Sequence, residues 1–177
     1  MRSLPILRNL GVPVVFDGGN FEDEAEEPVA GFNRNCFEPW ERLHVEAAMY
    51  ATDLIAGGAI GRVIQVIGLG PHRLGKAGRP AWFFEKARYG GILCDIGSHQ
   101  FEQFLTYTGA TDATVTQAAV GNFANPDKPE LEDFGEASLL GDNGSSNYIR
   151  VDWFTPDGLS TWGDGRTVVL GTEGYIE

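Results

Sequence analysis

The chain is short of positive charge. It has 13 Lys and Arg against 25 Asp and Glu, a formal net charge of −12 over 177 residues. A surface this acidic repels phosphate backbones and anionic lipid, which excludes nucleic acid and membrane surfaces as partners. Cysteine is almost absent. Cys36 and Cys94 are the only two, neither belongs to a C-x-x-C pair, and nothing resembles a secreted disulfide framework. No apolar run reaches the ~20 residues needed to cross a bilayer. Leu4-Pro5-Ile6-Leu7 is too short for a signal-peptide core and is broken by proline. A reducing cytoplasm is the expected setting. Phosphate cradles are missing too: no G-x-G-x-x-G follows an expected strand, and Gly68-Leu69-Gly70 runs into Pro71 rather than a helix start.

What remains suits one domain, since 42% of the residues are hydrophobic and the length is enough to build a core. The division expected is an irregular segment over 1–40 and an α+β domain over 41–177. Val12 to Phe16 reads as a short strand. Asp17, Glu22, Asp23, Glu24, Glu26 and Glu27 follow with no intervening base, the composition of a solvated segment. Val45, Ala48, Met49, Thr52, Ile55, Ala56 and Ala59 then recur at helical spacing, with Gly57-Gly58 as a stop signal, and His44, ahead of that helix, is expected at the surface. Arg62 to Leu69 is apolar on both parities, as in a strand covered on both faces.

Beyond Gly109, a helix C-cap by position, the text reads as sheet. Strands are expected over 112–123, 134–140, 148–154, 166–170 and 175–177. Asn143-Gly144 between the second and third signals a hairpin, in the type I′ form if both central residues adopt positive φ. Ile149, Val151 and Trp153 share one face of their strand. The fold class expected is an open, largely antiparallel β-sheet with helices on one face. A strand of three residues directly after a turn looks cut, so the last strands are expected to be missing.

The informative stretch is Gly90 to His99. At ~100° per residue, Leu93, Gly97, Phe101 and Phe104 share one helix face, flanked by Ile96, Cys94 and Leu105. Asp95, His99, Glu102 and Thr106 fall on the other. Two uses fit an Asp and a His four apart: an exposed pair worth a few tenths of a kcal/mol, or a titratable site. Cys94 points ~100° away from Asp95, so these residues do not complete a metal tetrahedron. His72 and Arg73, just past a strand end, are candidates for contacting a small ligand, with a solvated loop pair as the other reading. Trp82, Phe83, Phe84 and Tyr89 serve either as a stacking wall for such a ligand or as packing. Trp153 and Trp162, in the sheet region, read as packing or interface residues.

The pattern Gly90-Gly91-x-x-x-Asp95-x-Gly97-x-His99 resembles the C-terminal domain of the glucose–fructose oxidoreductase / inositol dehydrogenase / MocA family. Ala59-Ile60-Gly61-Arg62-Val63 and Gly171 to Glu177 are similar to that family's entry into its sheet and its late turn-and-strand. The resemblance runs from about Glu41 to Glu177. It implies an NAD(P)-dependent oxidoreductase of sugars, inositols or related alcohols, with His99 as acid/base on the substrate hydroxyl and Asp95 beside it. His72, Arg73, Trp82 and Tyr89 are the expected substrate contacts. An Asp one turn from an imidazole is expected to fix its tautomer and favour its protonated form. The family's dinucleotide-binding fingerprint is absent, and so is its Glu-Lys-Pro segment, of which Glu85-Lys86-Ala87 is an echo in the wrong place. The expectation is therefore a substrate-domain fragment that is inactive without its cofactor domain and assembles into homo-oligomers through its sheet. The other reading is a non-catalytic sheet module that self-associates through the face carrying Ile149, Val151 and Trp153, or binds a sugar-like ligand.

Overall fold

The computed structural model describes residues 40–177, with side chains from residue 47 onward. The expected strand at Val12–Phe16, the acidic run, Cys36 and the side chain of His44 lie outside the described residues. The chain opens with α1 (Trp40–Ala56) and continues into β1 (Val63–Pro71). Two 3-10 turns follow, Lys76–Gly78 and Ala81–Phe84. Three helices come next, α2 (Lys86–Tyr89), α3 (Ile92–Asp95) and α4 (Gly97–Thr108). The remainder is β2 (Ala113–Gly121), β3 (Phe134–Gly141), β4 (Ser146–Asp152), β5 (Arg166–Gly171) and β6 (Tyr175–Ile176).

The six strands form one sheet in the order β2-β3-β4-β1-β5-β6. Every pairing is antiparallel except β1 with β4. The expected architecture stands: an open, mostly antiparallel sheet with helices on one face. Among the described residues no helix is long and apolar enough to cross a membrane.

The core lies between α3–α4 and one face of the sheet. Phe101, Phe104 and Leu105 are fully buried, and each contributes about 2–3 kcal/mol of apolar burial. Leu93, Ile96 and Gly97 are buried with them, while His99 and Thr106 are exposed, so the helix faces fall as the spacing predicts. Close approach explains where α4 sits. A Cβ on Gly68 would lie 2.9 Å from Gln100 Cγ, and one on Gly70 would lie 2.7 Å from Gln100 Nε2. These two glycines open a channel along β1 into which Gln100 lies. That contact carries the neighbouring His99 to the C-terminal end of the central strand.

Four expectations need correction. Ile149 and Val151 are fully buried and Trp153 is 6% exposed: α3–α4 cover this face, leaving no apolar surface there for a second copy. The uncovered face is the opposite one. There Leu140, Leu170, Tyr175 and Phe154 are exposed, and Glu136, Tyr148 and Arg150 are half-buried. Consequently β1 is closed on its helix side only, and its Gln65, Ile67 and Leu69 are half-buried on the other. Met49, expected on the apolar side of α1, is 61% exposed; Ala51 and Ile55 make the core contact instead. Finally, the hairpin at Asn143-Gly144 takes a three-residue form. Gly144 N–H donates to Gly141 O (2.9 Å) and Gly141 N–H to Ser145 O (2.8 Å), with Gly144 left-handed at φ 81°. One glycine at the αL position satisfies this connection.

Candidate functional site

The two glycines before α3 act as a joint. Gly90 caps α2 at φ 84° and Gly91 starts α3 at φ 91°, ψ 163°, a region essentially reserved for glycine. A Cβ on Gly91 would meet Glu132 Oε2 at 2.4 Å. The Glu132 carboxylate needs that space: it accepts the Ile92 N–H at 3.0 Å and pairs with Lys86. A carboxylate at the first free amide of a helix is favourable both as hydrogen bond and as charge. The Glu132 N–H in turn donates to the Tyr89 hydroxyl at 2.7 Å. The glycine pair thus sets the entry angle of the helix that carries Asp95.

The helical path is not continuous. Ile96 separates α3 from α4, and His99 N–H donates to Ile96 O (3.1 Å), three residues back. The Asp95 carbonyl takes the Ser98 hydroxyl instead, at 3.0 Å. A three-residue turn advances side chains faster than an α-turn, so His99 does not stack over Asp95. No hydrogen bond or ion pair joins the two among the described residues, and desolvation by the surrounding protein, partial because the residue is exposed, holds the His99 imidazole below its ordinary value. The expectation of a paired, proton-favouring carboxylate is corrected: among the described residues His99 has no carboxylate partner, and its imidazole is shifted toward the neutral form.

Asp95 faces elsewhere. Burial raises its carboxyl to about 6, and the charge of Arg79 opposes that rise. His72 stands at the exit of β1. Its Nδ1 lies 3.1 Å from Gly70 O, which as a donated N–H leaves Nε2 as the acceptor nitrogen. Burial lowers its value, the Gly70 carbonyl opposes this, and the nearby charges of His99 and Arg79 lower it further. His72, His99 and Arg79 thus interact electrostatically at the C-terminal end of β1, and Arg79 acts on Asp95 as well. The Asp95 carboxyl, raised to about 6, and the two imidazoles, held below their ordinary value, are groups suited to proton transfer.

The other sequence-derived candidates are placed differently. The Arg73 guanidinium turns to the 155–165 loop, donating to Leu159 O and to Thr161 O (2.9 Å), with Asp157 3.9 Å away. Trp82 is half-buried and meets Phe83 edge-on at 6.2 Å. Tyr89 is 4% exposed, and burial raises its phenol well above the usual range. Cys94 is likewise pushed up, by burial and then by Asp95, which keeps its thiol protonated and a poor nucleophile. Among the described residues no cluster of His, Cys, Asp or Glu is fit to hold a metal ion. Arg79 was not among the site residues read from sequence, for a cation in a loop belongs to no periodic pattern.

A family profile described as the GFO/IDH/MocA C-terminal domain matches residues 48–177. Among solved structures, a protein of Erwinia carotovora atroseptica SCRI1043 assigned to the oxidoreductases is 59% identical with a TM-score of 0.73. The match covers 77% of this chain and 40% of that one. The myo-inositol 2-dehydrogenase of Lactobacillus plantarum aligns at 22% identity and TM-score 0.64, covering 76% of this chain and 39% of that one. The scyllo-inositol dehydrogenase of Lactobacillus casei, solved with NAD(H) and scyllo-inositol, aligns at 20% identity and TM-score 0.62, covering 78% and 40%. The two inositol enzymes share the fold. The chain spans about 40% of the length of these solved relatives. No curated protein matches it.

Proposed function

The chain belongs to the GFO/IDH/MocA family as a C-terminal domain, and from that premise we propose that it supplies the substrate half of an NAD(P)-dependent oxidoreductase of sugars, inositols or related alcohols. The observation that carries this reading is the bringing together of His72 and His99 at the C-terminal end of the central strand, where Gln100 lies against Gly68 and Gly70. Gly68 and Gly70 lie inside β1 and present no strand-to-helix turn to a pyrophosphate, so the described residues do not form a dinucleotide cradle. The nicotinamide that accepts the hydride is bound by another domain. This chain's part is the proton: neutral His99 takes it from the substrate hydroxyl as the carbon is oxidised, and His72 Nε2 accepts a hydrogen bond from a neighbouring hydroxyl. Asp95, with its carboxyl raised to about 6, is a second titratable group on the same helical segment. Trp82, half-buried in the 3-10 turn that follows β1 and its loop, is the proposed wall for the ring. Two cysteines in the whole chain fit a reducing cytoplasm as its setting.

Titrating the chain with myo-inositol and with glucose, while following the imidazole resonances of His72 and His99, tests the reading. Saturable movement of both rings is expected, abolished for the sugar in His99→Ala when His72 alone is followed. Rings that ignore every polyol up to molar concentration would sink it.

Self-association through the uncovered sheet face belongs to the same proposal. Leu170 and Tyr175, 39% and 67% exposed, lie side by side on that face, and Leu140, 49% exposed, stands in the same row beyond Gln65 and Ser146; exposed apolar side chains of this kind pair with a second copy. Sedimentation is expected to show a dimer that Leu140→Glu dissociates. A monomer at every concentration contradicts it.

A further inference from the structure

The strand end that leads into His72 has a second side. Alternation along β1 puts Gly68 and Gly70 under α4 and Pro71 on the uncovered sheet face. There Pro71 pairs with Asp152, and Asp152 with Phe134. Arg150, two residues before Asp152, lies on the same face. These residues floor a cavity of about 440 Å³, and Phe154, Leu159 and Asp164 of the following loop wall it in. The wall is held in place. Phe154 N–H donates to Asp152 Oδ1 at 3.1 Å, Thr155 N–H donates to His72 O at 3.2 Å, and the Leu159 carbonyl accepts from the Arg73 guanidinium. Asp152 is only 5% exposed. Arg150 Nε lies 3.3 Å from Asp152 Oδ2 as an ion pair, without a hydrogen bond, and 41% of the Arg150 side chain stays exposed. Asp164 is paired in the same way with Arg166, at 3.4 Å.

We propose that this cavity is a binding site for a neutral cyclic polyol, distinct from the site at His72 and His99 on the other face of the sheet. Its volume falls in the range of small-molecule sites, about 300–1,000 Å³. Its charges cancel in two pairs, Arg150 with Asp152 and Arg166 with Asp164. A free anion would meet two carboxylates and a chain of net charge −12, and a free cation would meet two guanidinium groups. Neither gains. A ring with adjacent hydroxyls satisfies both members of a pair, since each hydroxyl donates to a carboxylate and accepts from a guanidinium. The C–H face of such a ring is apolar, and Pro71, Phe134, Phe154 and Leu159 offer it apolar walls. The cavity is also clear of the patch assigned to self-association. Gln65 in the Leu140–Leu170–Tyr175 row and Pro71 at the cavity are six residues apart on β1, about 20 Å, so the two lie at opposite ends of the uncovered face.

The test is an NMR titration of the whole chain with myo-inositol and with methyl glucoside, following the amides of Phe154, Thr155 and Leu159 and the Arg150 Nε–H. Saturable movement is expected, with a midpoint on the order of 1–10 mM. Phe154→Ala removes a wall, and Arg150→Met removes the donors while keeping the stem. Each is expected to weaken the midpoint by about tenfold, or ~1.4 kcal/mol. Phe154 is 46% exposed, so its variant decides the matter if Arg150→Met does not fold. His99→Ala is expected to leave the midpoint where it is, which keeps this result separate from the titration of the imidazoles. Amides that ignore both polyols at molar concentration overturn the proposal, as does a midpoint unchanged in Phe154→Ala or lost in His99→Ala. Tighter saturation of the same amides by acetate or by methylammonium overturns it too, because the occupant would then be charged.

Discussion

Asp133→Ala is expected to destabilise the fold by about 3–5 kcal/mol, measured by urea unfolding at pH 7. Asp133 is fully buried. Its carboxylate accepts the Phe123 and Ala124 N–H groups, both at 2.8 Å, and Asn125 Nδ2 at 3.0 Å. Hydrogen bonds to a charged group are worth about 1.5–3 kcal/mol each, they are not additive, and an orphaned buried donor costs about 1–3 kcal/mol more. The main chain of Asp133 also bridges strands, donating to Gly121 O and accepting from Trp153 N–H, both at 2.9 Å. Asp133→Asn keeps one acceptor oxygen and is expected to lose about half as much. The damage reaches the site, because the adjacent Glu132 is the carboxylate that caps α3. A loss below about 1 kcal/mol would mean that the 122–133 loop rebuilds around the hole.

This buried acid shows why part of the molecule was legible in sequence and part was not. Leu93, Gly97, Phe101 and Phe104 repeat at a helical period, and burial of one face is a local consequence of that period. The strands announced themselves by turn residues at Asn125-Pro126 and Asn143-Gly144. Asp133 and Glu132, however, sit among Pro129, Glu130 and other loop residues, where acids read as solvated. Only the fold brings the amides of 123 and 124 and the start of α3 to meet them. The parallel pairing of β1 with β4 joins residues some 80 positions apart (Gln65 with Ser146), and no local pattern encodes it. That pairing decides which sheet face α4 covers, so assigning Ile149, Val151 and Trp153 to solvent failed at the same step. The break at Ile96 has no proline to mark it. Arg79 was invisible for the corresponding reason: the rings its guanidinium lies over are contributed at 83, 153 and 162.

Asp95→Asn is expected to raise stability by about 2 kcal/mol at pH 7 while abolishing proton handling at the site. The folded-state value near 6 lies above the ordinary 3.8, so between roughly pH 4 and 6 the folded chain holds a proton that the unfolded chain has released. Stability from this group therefore falls as pH rises through that window, and the cost is fully present above pH 6. At ~1.4 kcal/mol per pH unit the limit is about 3 kcal/mol, reduced because solvent reaches a half-buried carboxylate. Asparagine keeps the shape and escapes the cost, so the gain is expected at pH 7 and absent at pH 4. His72 and His99 act in the opposite sense. Both are held below their ordinary values, so the unfolded chain takes up protons first and their contribution is lost as pH falls below about 6.5. Urea unfolding of Asp95→Asn and wild type at both pH values separates these terms, since the histidines are common to the two proteins. A variant less stable than wild type at pH 7 would show that the attraction of Arg79 outweighs burial. Asp95 would then be an acid the fold keeps for its own stability, whereas a gain identifies a charge maintained at the fold's expense, as a reacting group requires.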